Sequence, residues 1–206
     1  MKYYLSIFII ATSLLISCGK DADPKEKSCC TKKETAKGET KKEIETAESL
    51  FNLKDQFTTQ YNKNFTLNML SGKPTVVAMV FTHCAYACPR LTADIISISD
   101  SLKDVDVNYL LVSFDVERDT PEQLRAFAAK EGLNKNWTLL HGSEDAVRTL
   151  SVLLNVQYEK DAEGNFSHSN LISVLDKHGR LVFQQEGLDA NQEQTIETVK
   201  KLAQQP

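Results

Sequence analysis

The chain has 206 residues, 41% of them hydrophobic and 25% charged, with a formal charge of −4. That balance excludes a wholly disordered or collagen-like chain. It supplies no basic footprint for phosphates, so no nucleic-acid partner is expected.

The N-terminus reads as an export signal. Lys2 precedes an almost wholly apolar run, Tyr3 to Ile16. Fourteen residues at about 1.5 Å each do not cross a hydrocarbon core of about 30 Å. Leu15-Ile16-Ser17-Cys18 resembles a bacterial lipobox. The resemblance implies cleavage before Cys18 and acylation of that cysteine. The protein would then be lipid-anchored to a bacterial membrane, outside the cytoplasm, on the periplasmic side or the cell surface. Residues 1–17 are thus read as signal peptide, 18–49 as a lipidated, charged tether and 50–206 as one globular domain.

Gly19 to Glu48 holds eight lysines and eight acidic residues, with Ile44 as its only large apolar side chain. Such a segment buries too little surface to offset its ordering entropy, so disorder is expected, with nascent helix over Lys32 to Leu50. Cys29-Cys30 lies inside it. The two thiols could ligate a soft metal, pair with another chain or have no fixed role.

The domain opens with a short expected strand, Phe65 to Leu70. Pro74 to Phe81 is apolar on both faces and predicts a buried central strand. A helix follows over Pro89 to Lys103, with Leu91, Ile95, Ile98 and Leu102 on one stripe. Asp106 to Phe114 is the second buried strand. Thr120-Pro121-Glu122-Gln123 is a helix start, with a cap at Thr120, Pro121 in the first helical position and Gln123 placed to close a capping box. Gly132 stops that helix. Trp137 to Leu140 reads as a strand, and Ser143 caps a further helix with Val147, Leu150 and Leu154 inward. Leu171 to Leu175 and Leu181 to Gln184 form an antiparallel hairpin across a short turn. A last helix covers Ala190 to Ala203. This alternation predicts an α/β fold with a mixed sheet flanked by helices. A thioredoxin-like core with an N-terminal extension and an extra helix fits the order.

Cys84-Ala85-Tyr86-Ala87-Cys88-Pro89 stands where the first buried strand leaves the sheet and a helix begins. If the turn is helical, both sulfurs share a face at the rim where open α/β sheets bind ligands. A helix N-terminus favours thiolate over thiol. Two converging thiolates suit Cu(I), and an imidazole would complete a three-coordinate site. Of the four histidines, His168 precedes the terminal hairpin, whose entrance faces the active turn in a thioredoxin-like sheet. A surface-loop histidine is its alternative reading. His83 points away from the cysteines by alternation and is assigned to packing or to the ligands' surroundings. His141 reads as structural and His178 as a solvated turn residue.

Thr82-His83-Cys84-x-x-x-Cys88-Pro89 resembles the signature of the SCO/SenC family, copper-handling proteins of cytochrome oxidase assembly. Ser113-Phe114-Asp115-Val116-Glu117-Arg118-Asp119-Thr120-Pro121 resembles that family's acidic segment. Ser167-His168-Ser169, ahead of Leu175-Asp176-Lys177-His178-Gly179-Arg180-Leu181, resembles its histidine strand and hairpin. The resemblance covers about residues 50–203. It implies a thioredoxin-like fold and Cys84, Cys88 and His168 as ligands of Cu(I) or Cu(II). It implies a role for Asp115 near the site, in partner contact or hydrogen bonding behind the ligands. It further implies delivery to the copper-bearing subunit of a cytochrome c oxidase or another copper acceptor. Asp115, Glu117 and Asp119 read otherwise as loop solvation and helix capping. Ala85 departs from the family pattern, in which proline often follows the first cysteine, and this loosens the turn.

Three other readings use the same residues. A thiol-disulfide oxidoreductase would use Cys84 and Cys88 as a redox pair, and this is the one enzymatic activity the motif suggests. Three intervening residues instead of two, and no proline before the strand near His168, argue against it as the main role. A peroxiredoxin-like peroxidase would want Thr or Ser where Ala85 stands. A copper sensor or buffer needs the same ligands as a metallochaperone.

Overall fold

The computed structural model describes residues 49–205. The signal peptide, the lipobox cysteine Cys18, the Cys29-Cys30 pair and the tether through residue 48 lie outside the described residues.

The central element is β3 (Thr75–Val80), whose six residues are all buried. It pairs in parallel with β4 (Asn108–Ser113), which pairs in parallel with β5 (Trp137–Gly142). On its other side β3 pairs antiparallel with β8 (Leu171–Leu175), and β8 with β9 (Leu181–Glu186). Two short strands, β1 (Phe57–Thr59) and β2 (Asn64–Phe65), extend the far edge in the order β2-β1-β5-β4-β3-β8-β9. Sequence alternation misses β1, which is too short for a periodic signal.

The strand expected over Phe65 to Leu70 is corrected. Only its first residue is paired in a strand, and Leu67–Leu70 is a 3-10 turn. An extended strand would place Phe65, Leu67 and Met69 on one face. Instead Leu67 and Leu70, three apart, are buried and Met69 is exposed, which is the 3-10 period.

Among the described residues, four α-helices cover the sheet. Helix α1 (Ala87–Ser101) starts two residues before the expected position and buries Cys88, Leu91, Ile95 and Ile98. Helix α2 (Pro121–Lys130) begins with the Thr120 hydroxyl accepting the Gln123 N–H and ends at Gly132 with the Leu133 N–H on the Ala128 carbonyl. Helix α3 (Glu144–Leu153) is capped by Ser143, and α4 (Glu193–Ala203) packs on β8, β9 and α1. Between α3 and β8 lies a separate antiparallel pair, β6 (Tyr158–Lys160) and β7 (Phe166–His168), which is not hydrogen-bonded to the central sheet.

The N-terminal extension is fastened at one point. Leu50 N–H donates to Gly179 O at 2.9 Å in the β8–β9 turn, and the Ser49 hydroxyl bonds His178 O. Gly179 has φ +80°, and a Cβ there would lie 2.5 Å from the Phe51 ring, so only glycine satisfies both turn and packing.

Candidate metal centre

Beyond β3 the chain reverses at Thr82-His83, with Cys84 N–H donating to Phe81 O at 3.3 Å. Cys84 stands just before α1, and Cys88 lies in its first turn. The two sulfurs therefore meet across a helix start rather than along one helical face. The capping position, Tyr86, offers no side-chain acceptor. The Cys84 sulfur takes that part, accepting the Cys88 N–H at 3.3 Å.

His168 closes the group from β7. Its Nε2 lies 3.6 Å from Cys88 Sγ, and its Nδ1 lies 3.0 Å from Ser169 O. The carbonyl takes the Nδ1 proton, which leaves the Nε2 lone pair directed at the sulfurs. The ligand atoms of Cys84, Cys88 and His168 all lie within 4.8 Å of one another. Both cysteines are free. Two thiolates and a neutral imidazole, held this close, form a soft donor set able to hold a metal ion.

The two thiols are not equivalent. The Cys88 thiol donating to its sulfur, helped by the backbone N–H groups of Cys88 and Tyr86, holds Cys84 down at about 4 against the opposing effect of burial. Cys88 is pushed well above the ordinary thiol range by that same bond to Cys84, by burial and by the negative charges of Cys84 and Asp119. A metal ion held by both sulfurs would displace the Cys88 proton.

Aromatic rings wall the site on its inner side. Phe114 stands 5.1 Å from the His168 ring and 5.0 Å from Phe166, and Phe81 lies 5.2 Å from Phe166. The outer side is an open cleft of about 350 Å³ lined by His83, Cys84, Tyr86, Phe166 and His168 among others. Tyr86 is exposed on its lip, with the Arg90 guanidinium 4.8 Å from its ring centre.

Two aspartates lie behind the cysteine turn. Asp119 is fully buried and accepts the Thr82 N–H at 2.8 Å, the Thr82 hydroxyl at 2.6 Å and the Ser113 hydroxyl at 2.5 Å. Loop solvation is therefore not its role. Thr120 already caps α2, which leaves Asp119 free to anchor the turn. His83 is half-exposed, with Nδ1 3.4 Å from Asp119. Asp115, 1% exposed, turns its carboxylate to the backbone and side chain of Arg118. His83, Asp115 and Asp119 form a second close group, and every carboxylate oxygen in it has a hydrogen-bonded or ionic partner within the chain. His141 pairs with Thr58 between strands and His178 sits in the hairpin turn, both away from the sulfurs.

Comparison with known proteins agrees with this geometry. The SCO1/SenC family model matches residues 43–204. The SCO1 protein homolog of Bacillus subtilis is 29% identical over 139 residues, covering 65% of this chain and 72% of that protein. A SCO1/SenC family lipoprotein of Bacillus anthracis superposes with a TM-score of 0.70 at 29% identity, over 80% of this chain and 99% of that one. ScoI of Bradyrhizobium japonicum, solved with copper bound, superposes at 0.62 with 28% identity, over 72% of this chain and 96% of that one. The fold is the thioredoxin-like mixed sheet shared with these structures, and the chain belongs to the SCO1/SenC family.

Proposed function

We propose that this chain is a copper metallochaperone. Cys84 and Cys88 hold the ion as thiolates and His168 completes the site. The carrying observation is the convergence of these three donors within 4.8 Å at the rim of the sheet. Copper bound to a relative of the same fold supports the choice of metal. The open outer cleft admits an acceptor's own thiolates, so transfer proceeds by ligand exchange. The acceptor suggested by the family is the binuclear copper site of a cytochrome c oxidase subunit. The lipobox-like Leu15 to Cys18 supports anchoring outside the cytoplasm through acylated Cys18.

The test is copper stoichiometry on the reduced protein against a competing Cu(I) chelator. Cys29 and Cys30 are changed to serine in every sample, so that only the domain's thiols report. One ion per chain is expected, with affinity reduced more than about 100-fold in Cys88→Ser and His168→Ala. Parental binding in both variants would defeat the ligand assignment.

A second reading rests on the unequal thiols. The Cys84 thiolate beside the Cys88 thiol suits attack on a target disulfide, giving a mixed disulfide that Cys88 then resolves. The target is reduced by two electrons, and Cys84 and Cys88 are oxidised to a disulfide. No tight copper, with reversible reduction of a disulfide peptide, would favour this reading.

A further inference from the structure

The His168 ligand sits on a two-stranded unit that the central sheet does not hold. A lone hairpin of this size is marginal in water. Its position over the cysteines must therefore come from side chains. Ring packing of Phe166 and Tyr158 on Phe114 supplies part of it. The least exposed polar tie runs through one residue. Arg118 donates through Nε to Asp115 and through a terminal amino group to Gly164 O at the hairpin turn. Its guanidinium also lies 6.0 Å from the centre of the Phe166 ring.

We infer that Arg118, fixed by buried Asp115, is a positioning residue that clamps the β6–β7 hairpin and so sets His168 against the cysteine pair. The clamp is short and rigid. Asp115 is held at the end of β4 by its own N–H on the Ser113 hydroxyl at 3.0 Å. The planar guanidinium then spans to the turn with two donors in fixed geometry, which a lysine cannot reproduce. Gly164 has φ +83°, a backbone conformation that glycine adopts without strain, and this turn aims its carbonyl at Arg118. Lys160 adds an exposed pair with Glu117 beside it. The Asp115 carboxylate thus acts on the metal site through Arg118 and the hairpin. This rests on the proposed role of His168 as a ligand, but its first readout does not need copper.

The experiment compares the full-length protein with Arg118→Ala, Asp115→Asn and the double variant. Amide hydrogen exchange of the copper-free proteins is read at β6 and β7, with β3 and β4 as internal reference. Exchange in the hairpin should rise about tenfold or more in each variant while the reference strands keep their protection. Cu(I) competition should then show affinity lowered about 10–100-fold, as for groups that orient a ligand. The Cu(II) absorption spectrum should move toward that of His168→Ala. The double variant should match Arg118→Ala, since Asp115 acts through it. Parental exchange in the hairpin of Arg118→Ala, or additive losses in the double variant, would overturn the inference. Should Arg118→Ala fail to fold, Arg118→Lys decides, with raised hairpin exchange in support and parental exchange against. A parent protein that holds no copper would defeat the proposed function and leave the exchange test standing.

Discussion

Asp119 accepts the backbone N–H of Thr82 at 2.8 Å, joining the segment that leads into helix α2 to the turn that presents Cys84. The same carboxylate takes the hydroxyls of Thr82 and Ser113, so one buried group holds three donors. Asp119→Ala removes the acceptor from all three and leaves the Thr82 hydroxyl only its contact with His83 Nδ1 at 3.2 Å. A loss of about 3 kcal/mol in unfolding free energy is expected by urea titration, with Asp119→Asn losing less.

Alkylation should separate the two thiols. Cys84 is half-buried and held down at about 4, and Cys88 is buried and raised. Lowering a thiol's pKa enlarges its thiolate fraction at every pH above the new value. The iodoacetamide rate at Cys84 is therefore expected to be flat from about pH 6 to pH 9, where a free thiol of pKa about 8.5 gains several hundredfold in thiolate. Cys88 should stay unmodified in the folded protein. Peptide mass analysis after timed quenching checks both, and a Cys84 rate climbing steeply across that range would contradict the assignment.

Copper should stabilise the fold by mass action. At free Cu(I) about 1,000-fold above the dissociation constant, binding adds about 4 kcal/mol to the stability of the folded state. The melting temperature of the reduced parent should rise on loading, and that of Cys84→Ser should not. Chelator added in excess should return the parent to its unloaded value.

Gly179→Ala should loosen the N-terminal extension. The substitution sets a methyl group into the Phe51 ring and forces a side chain onto φ +80°. A cost of about 2 kcal/mol is expected, with faster protease cleavage around Leu50 to Leu53. Copper affinity should be unchanged, because that turn lies at the other end of β3.

The parts of the fold that the sequence shows are those with long, one-sided or all-apolar patterns. Val76 to Val80 and Tyr109 to Val112 are apolar on both faces because they are buried on both, and no other environment explains them. Thr120-Pro121 and Ser143 mark helix starts with chemistry local to the chain. The Cys84, Cys88 and His168 triad is visible because the family's motifs carry it. What escapes the sequence is relational. Tyr158 to Lys160 and Phe166 to His168 are too short and too exposed for a period to show, so their pairing emerges only in three dimensions. Asp119 looks like one more acidic loop residue until its three donors are seen. Arg118 carries no sequence signal at all, since its partner carbonyl on Gly164 lies 46 positions away.

The fastening of Leu50 to Gly179 sets a polarity on the whole domain. The first described residues meet the sheet beside the start of β3, where Thr75 pairs with Leu175. The sulfurs lie past its other end, about 20 Å away along six residues of strand. The first described residues and the sulfurs thus occupy opposite poles. On the proposed function, an acceptor of the ion can approach the thiols without displacing residues 49–53.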